Sequence, residues 1–177
     1  MDVSRRILVV FYSRSETTTA VARRLADELD ADCERLQEAD DRRRAGAVGF
    51  LRSLADVIGN RAANLQPTAH SPSAYDVVVL GTPVWAGRAS TPISTWLARH
   101  AHELRATAFF CTMGGRGDLT AFGQMQALAR QQPIATCAIS GRDIGRGLAA
   151  RKLARFARSI ARRLAARERH GSAERAT

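Results

Sequence analysis

Tyr75-Asp76-Val77-Val78-Val79-Leu80-Gly81-Thr82-Pro83-Val84-Trp85-Ala86-Gly87 is the stretch on which the fold turns. Four consecutive apolar residues, three of them β-branched, are too short a run for a helix. With Tyr75 and Gly81 as bounds they read as a strand buried on both faces, as in a parallel sheet. The chemistry then changes abruptly. From Gly81 to Pro92 the chain reads as a loop rich in small and hydroxyl residues. In it a tryptophan is held between a proline and a glycine. At the mouth of a sheet, Trp85 offers a flat face on which an aromatic ring can stack. The alternative is a tryptophan packed on the next helix.

Outward from this stretch, strand and helix patterns alternate. Toward the N-terminus, Arg5 to Tyr12 reads as a second doubly buried strand and Ser13 to Thr18 as a polar turn. Thr18 to Leu29 is a helix with Val21, Ala22, Leu25, Ala26 and Leu29 on one face. A short strand covers Asp32 to Leu36, and Glu38 to Arg44 is a charged loop. Val48 to Ile58 has helical spacing that stops at Gly59-Asn60, and Arg61 to Ala74 is loop. Toward the C-terminus, Pro92 to His100 is a helix with Thr91 at its N-cap. Thr107 to Thr112 is a strand, and Asp118 caps a helix over Leu119 to Gln131. Ile134 to Ile139 is the last strand, and Gly147 to Arg167 a long basic helix with Leu148, Leu153, Phe156, Ile160 and Leu164 on its apolar face. Short apolar strands joined by helices imply right-handed crossovers and a parallel sheet. One domain spans residues 1–169, and 170–177 is a polar tail.

The chain of 177 residues is long enough to bury a sizeable core. Its net charge of +10 is unusual, and Lys152 is the only lysine among 27 basic residues. Such a field favours acidic partners, nucleic acid or anionic lipid, and says nothing about the fold. Cys33, Cys111 and Cys137 are scattered and odd in number, which argues against a disulfide framework or a zinc site. Cys111 and Cys137 lie in apolar runs and read as buried structural thiols. The histidines form no ligand cluster; His100 and His102 flank a helix end and read as solvated or as complementing its dipole. No apolar run is long enough for a membrane span, and Met1 to Arg6 leads straight into a strand without a signal-peptide cleavage region. A cytoplasmic location is expected.

In open parallel sheets ligands bind beyond the carboxyl ends of the strands, where strand order reverses. Three loops qualify. Ser13-Arg14-Ser15-Glu16-Thr17-Thr18 places four hydroxyls and a helix start together, which suits a phosphate. It matches neither a Walker A loop nor Gly-x-Gly-x-x-Gly, and reads equally as a plain N-cap cluster. The second loop carries Thr82, Pro83, Val84, Trp85, Ala86 and Gly87. The third, Thr112-Met113-Gly114-Gly115-Arg116-Gly117-Asp118, has three glycines that let backbone approach a planar ligand, or simply make a strand-to-helix turn.

Together these segments resemble the flavodoxin family. Phe11-Tyr12-Ser13-Arg14-Ser15 with Thr17-Thr18 is similar to its phosphate loop. Tyr75 to Gly87 is similar to its central strand and ring-binding loop, and the Gly-Gly segment after Thr112 falls at its third loop. The resemblance implies a flavodoxin-like three-layer α/β sandwich with a five-stranded parallel sheet of order 2-1-3-4-5. The implied cofactor is flavin mononucleotide (FMN), and the residues of the three loops named above would hold it. Arg14, Arg88 and Arg116 could neutralise phosphate or reduced flavin.

Two departures stand out. Glu16 occupies the place of a glycine; a left-handed backbone there would cost a non-glycine residue about 1–2 kcal/mol. A carboxylate about 5 Å from a phosphate charge adds up to ~3 kcal/mol at an effective dielectric near 20. The positive charge is the second departure, since electron-carrying flavodoxins are usually acidic. The resemblance implies an oxidoreductase passing electrons from a reduced nicotinamide to a quinone-like acceptor, or else a one-electron carrier docking to a redox partner. A flavin-free basic binding module ranks last. Arg151, Arg155, Arg158 and Arg162 fall off the apolar stripe of the last helix. They read as a solvated face, and nucleic acid is disfavoured because no aromatics of the kind that stack bases interleave them.

Overall fold

The computed structural model describes residues 5–39 and 62–174. The helix expected over 48–58 lies outside the described residues.

The parallel sheet is built from β1 (Ile7–Phe11), β2 (Asp32–Arg35), β3 (Val77–Trp85), β5 (Thr107–Met113) and β6 (Thr136–Ser140). Its order is β2-β1-β3-β5-β6, the expected 2-1-3-4-5 among the parallel strands. The register runs Ile7↔Val77 to Phe11↔Gly81 and Val78↔Thr107 to Pro83↔Thr112. Strand order reverses between β1 and β3, the switch point at which such sheets bind ligands.

Alternation along the strands sorts side chains into two cores. Ile7, Val9, Phe11, Val77, Val79 and Phe110 face α1 (Glu16–Leu29) and the long α5 (Ala149–Glu174). Leu8, Val10, Val78, Leu80 and Phe109 face α2 (Thr91–His100) and α3 (Asp118–Ala129). Helices therefore cover both faces, which is why β1 and the first part of β3 have no polar face. α1 follows from its pattern: Thr18, Val21, Ala22, Leu25 and Ala26 are buried, and Asp30, left-handed at φ 49°, ends it by donating its N–H to Ala26 and Asp27 carbonyls.

Several local expectations are corrected. The segment after Gly81 is no loop: β3 continues to Trp85 and turns back as a sixth, antiparallel strand, β4 (Arg88–Ala89), paired Val84↔Ala89 and Trp85↔Arg88. The turn residues Ala86 (φ 49°) and Gly87 (φ 74°) are both left-handed. That is the type I′ geometry a two-residue hairpin demands, and a doubly buried apolar run conceals it. Asp118 is the first residue of α3 and not its cap, which is Gly117. Ser90, and not Thr91, is the N-cap of α2. A short helix, α4 (Gly141–Gly145), precedes α5, with a reciprocal capping box between Ser140 and Asp143. α5 runs on to Glu174, into the segment read as a polar tail.

Candidate functional site

The loops after β1, β3 and β5 leave the same sheet edge and are tied to one another. Tyr12 N–H donates to the Gly81 carbonyl at 3.1 Å. The Tyr12 and Trp85 rings meet edge to face with centroids 6.0 Å apart. The hydroxyls of Thr18 and Thr112 share a buried hydrogen bond of 2.7 Å that joins the first loop to the third. The second and third loops are in backbone contact: a Cβ on Gly117, which has φ +108°, would stand 2.7 Å from Gly87 Cα. Only glycine permits both that φ and that approach.

The predicted site residues divide into two groups. Ser13, Thr18, Thr82 and Thr112 are buried, with hydroxyls committed to the protein. Thr82 donates to Ser90 Oγ at 3.0 Å and accepts from Ser90 N–H at 2.9 Å, closing the hairpin's base. Ser13 Oγ donates to the Ser15 carbonyl. The second group borders solvent. Ser15, Glu16, Thr17, Ala86, Gly114 and Gly115 are exposed, while Arg14, Pro83, Val84, Trp85, Gly87, Met113 and Gly117 are half-buried. Arg88, in β4, and Arg116, in the third loop, are exposed.

Two features of the exposed group have the character of a ligand cradle. No side chain caps the start of α1, although Ser15 occupies the N-cap. The first backbone N–H groups of that helix, at the positive end of its dipole, therefore have no side-chain cap competing with an anion. Space above Gly114 and Gly115 is open: a Cβ at either would meet nothing within 4 Å. Glu16 is the first residue of α1 and is not left-handed, so the backbone penalty anticipated for it does not arise. Only its charge remains, and its side chain is exposed.

Sequence reasoning missed three supports. Glu38, within a charged run, is 3% exposed and accepts the Tyr12 hydroxyl at 2.7 Å. Arg35, at the end of β2, donates to the Ser13 carbonyl at 2.8 Å. Gln124 of α3 accepts from Ala89 N–H at 3.2 Å and donates to Ser94 Oγ at 3.2 Å, clamping the hairpin. None carries a local signal, because each partner is distant in sequence. Conversely, Tyr75 and Asp76 open the most family-like stretch but lie at the other sheet edge. The Tyr75 hydroxyl donates to Asp32 at 2.6 Å, and burial together with that carboxylate pushes it up to about 12. Asp76 accepts Arg6 N–H at 3.1 Å.

Beside the third loop is a cleft of about 420 Å³ lined by Gly114, Gly115, Arg116, Arg142, Asp143 and Lys152, among others. Asp143 accepts from Lys152 Nζ at 2.7 Å and from Ser140 N–H and Oγ, and these bonds hold its carboxyl at about 2. Cys111 and Cys137 are buried; desolvation raises them to about 12 and about 11. Cys33 is exposed. His100 Nδ1 lies 2.7 Å from Glu103 Oε1 at the end of α2. Among the described residues no helix is long and apolar enough to cross a membrane, and no group of three or more His, Cys, Asp or Glu could hold a metal.

A doubly wound sheet with three joined loops at its switch point defines a nucleotide-binding class of α/β protein. The Flavodoxin family model matches residues 6–142, and the chain belongs to that family. Its fold is similar to that of a flavoprotein from Lactobacillus acidophilus NCFM solved in complex with FMN. The identity is 22%, the alignment covers 81% of this chain and 98% of that one, and the TM-score is 0.68. A flavodoxin, WrbA-like protein from Agrobacterium tumefaciens is 15% identical over 90% of this chain and 99% of that one, with a TM-score of 0.54. Rubredoxin oxygen:oxidoreductase from Desulfovibrio gigas is 12% identical over 91% of this chain and 36% of that one, with a TM-score of 0.59. No curated protein matched the chain by sequence.

Proposed function

We propose that the protein binds FMN and works as an oxidoreductase that passes electrons from a reduced nicotinamide to a quinone-like acceptor. The observation that carries the FMN reading is the cradle itself. An uncapped helix start, a half-exposed tryptophan and an open glycine shelf stand on three loops that touch one another. The residues present fit the group. Backbone N–H groups of Glu16, Thr17 and Thr18, with the exposed Ser15 and Thr17 hydroxyls, would hold the phosphate. Trp85 and the Met113–Gly115 backbone would flank the ring. FMN, when bound, supplies the hydride and electron chemistry, and the protein supplies orientation and electrostatics.

The chain's own residues set three conditions. Arg35 and the buried Thr18–Thr112 pair fix the first loop before any ligand arrives, so little ordering remains to oppose binding. Gln124 and Thr82 hold Trp85's hairpin. The Tyr12–Glu38 hydrogen bond braces the ring of Tyr12 against Trp85.

Two measurements test the reading. Titrating the protein into FMN should quench or shift flavin fluorescence saturably, and a flat titration at high protein concentration removes the FMN assignment. The loaded protein should then consume reduced nicotinamide in the presence of a quinone. Saturable FMN binding without turnover would favour the alternative, a one-electron carrier that docks to a redox partner.

A further inference from the structure

The sheet ends at β6, which pairs with β5 alone among the described strands. In a parallel ladder the backbone groups of alternate residues turn away from the partner strand. Phe109 N–H donates to the Ala135 carbonyl, which puts Thr136 and Ala138 among the outward-turned residues. Accordingly the Ala138 carbonyl is met from outside the sheet by Lys152 Nζ, at 2.9 Å. N-terminal to that contact the edge stands open.

Between this edge and α5 runs a groove of about 660 Å³. Lys152, Arg155, Ser159, Arg162 and Arg163 line it from the helix side, at the three- and four-residue spacing that keeps side chains on one face. Lys152 to Arg163 rises about 16 Å along the helix. Gln132 and Thr136 add polar groups from the strand side, and among the described residues no Asp or Glu lines the groove. Asp143 neutralises Lys152 at one end. Among the described residues Arg155, Arg162 and Arg163 have no carboxylate partner. Fixed like charges along one helix face repel one another, and a bound anion relieves that repulsion.

We propose that this groove docks an extended acidic segment of a partner protein, which lies beside β6 and sets its carboxylates against Arg155, Arg162 and Arg163. Side chains on one face of an extended chain recur about every 6.6 Å. Cations on one helix face recur about every 5.4 Å. The two repeats stay in step over a few residues. A polypeptide can also bond the outward-turned backbone groups of β6, as in strand addition. A nucleic acid cannot use them, and the lining offers it no exposed ring on which to stack: Phe156 is 3% exposed and belongs to the core. Ala138 and Lys152 also line the cleft that contains Gly114 and Gly115. A partner seated here therefore ends beside the third loop. The surplus of positive charge, opposite in sign to that of an acidic electron carrier, then has an acidic partner to serve.

The test uses the full chain and a fluorescein-labelled peptide of alternating glutamate and valine. It needs no flavin, so its outcome is separable from that of the FMN titration. Anisotropy should saturate, and Arg155→Glu/Arg162→Glu should weaken binding at least about tenfold. Arg23→Glu/Arg99→Glu, with the same charge change at residues that do not line the groove, should weaken it less than threefold. On the unaltered protein, a peptide of the same charge with alternate backbone nitrogens methylated should bind at least fivefold more weakly. Any of four results overturns the proposal: no saturation, equal losses in the two double variants, indifference to backbone methylation, or tighter binding of a single-stranded oligonucleotide of the same charge.

Discussion

Gly114→Ala and Gly117→Ala add the same methyl group to one loop and should do opposite things. At Gly117 the new Cβ would lie 2.7 Å from Gly87 Cα and 2.9 Å from Val84 Cγ1, at a φ of +108°. The left-handed region costs a non-glycine residue about 1–2 kcal/mol. Overpacking costs a further ~1–3 kcal/mol, and the first neighbour is backbone that cannot rotate aside. A loss of roughly 2–5 kcal/mol follows. At Gly114 the backbone is not left-handed and a Cβ meets nothing within 4 Å, so stability should stay within about 0.5 kcal/mol of the parent. The open space is what the flavin reading assigns to the cofactor, however. A methyl group there holds the ligand off the backbone, and FMN affinity should fall at least tenfold, about 1.4 kcal/mol. Urea unfolding of the flavin-free protein and an FMN fluorescence titration read the two quantities separately. A Gly114→Ala protein that binds FMN as tightly as the parent would refute the shelf. A Gly117→Ala protein of undiminished stability would refute the contact between the loops.

Three further expectations are independent of that pair. Because Glu16 has no backbone penalty to relieve, Glu16→Gln and Glu16→Gly should tighten FMN binding by similar, few-fold factors that shrink in high salt; a much larger gain for glycine would mean that the loop is strained after all. Trp85→Ala should weaken FMN binding while leaving the fold intact. Trp96→Ala should instead remove roughly 3–5 kcal/mol of stability, since Trp96 is 1% exposed in the core, and chemical denaturation distinguishes the two. Asp143, held at about 2 by Lys152 and Ser140, has a folded value below its ordinary 3.8, so its contribution is complete above that value and disappears as pH falls from 3.8 toward 2. With Lys152 44% exposed, screening reduces this to about 1 kcal/mol. Asp143→Asn should therefore lower stability at pH 6 and leave it nearly unchanged at pH 2; an equal loss at both would mean that the carboxylate's charge is not what matters.

The sequence by itself determined the layers of this protein and the sheet edge at which the three segments gather. Val77 to Leu80 and Ile7 to Phe11 are apolar at every position, and only a sheet covered on both faces buries such strands. The change from β-branched residues to hydroxyls, glycines and a tryptophan at each strand's end marked the edge where the loops gather. Both signals are local, since period and composition are read within a dozen residues. The tertiary structure alone decided what each loop residue does. Nothing near Thr18 announces that its hydroxyl meets Thr112 at 2.7 Å, so that one hydroxyl of the first loop and one of the third form a buried brace. Glu38 looks solvated in its charged run, yet it is buried against Tyr12. The hairpin at Ala86-Gly87 is hidden in the sequence because its return strand is two residues long and is held by Gln124, thirty-five positions away from Ala89. The empty space above Gly114 and Gly115, and the absence of space beside Gly117, depend on how three chain segments converge. Long-range contacts of this kind leave no periodic trace along the chain, because the partners are brought together by the sheet and not by their neighbours in sequence.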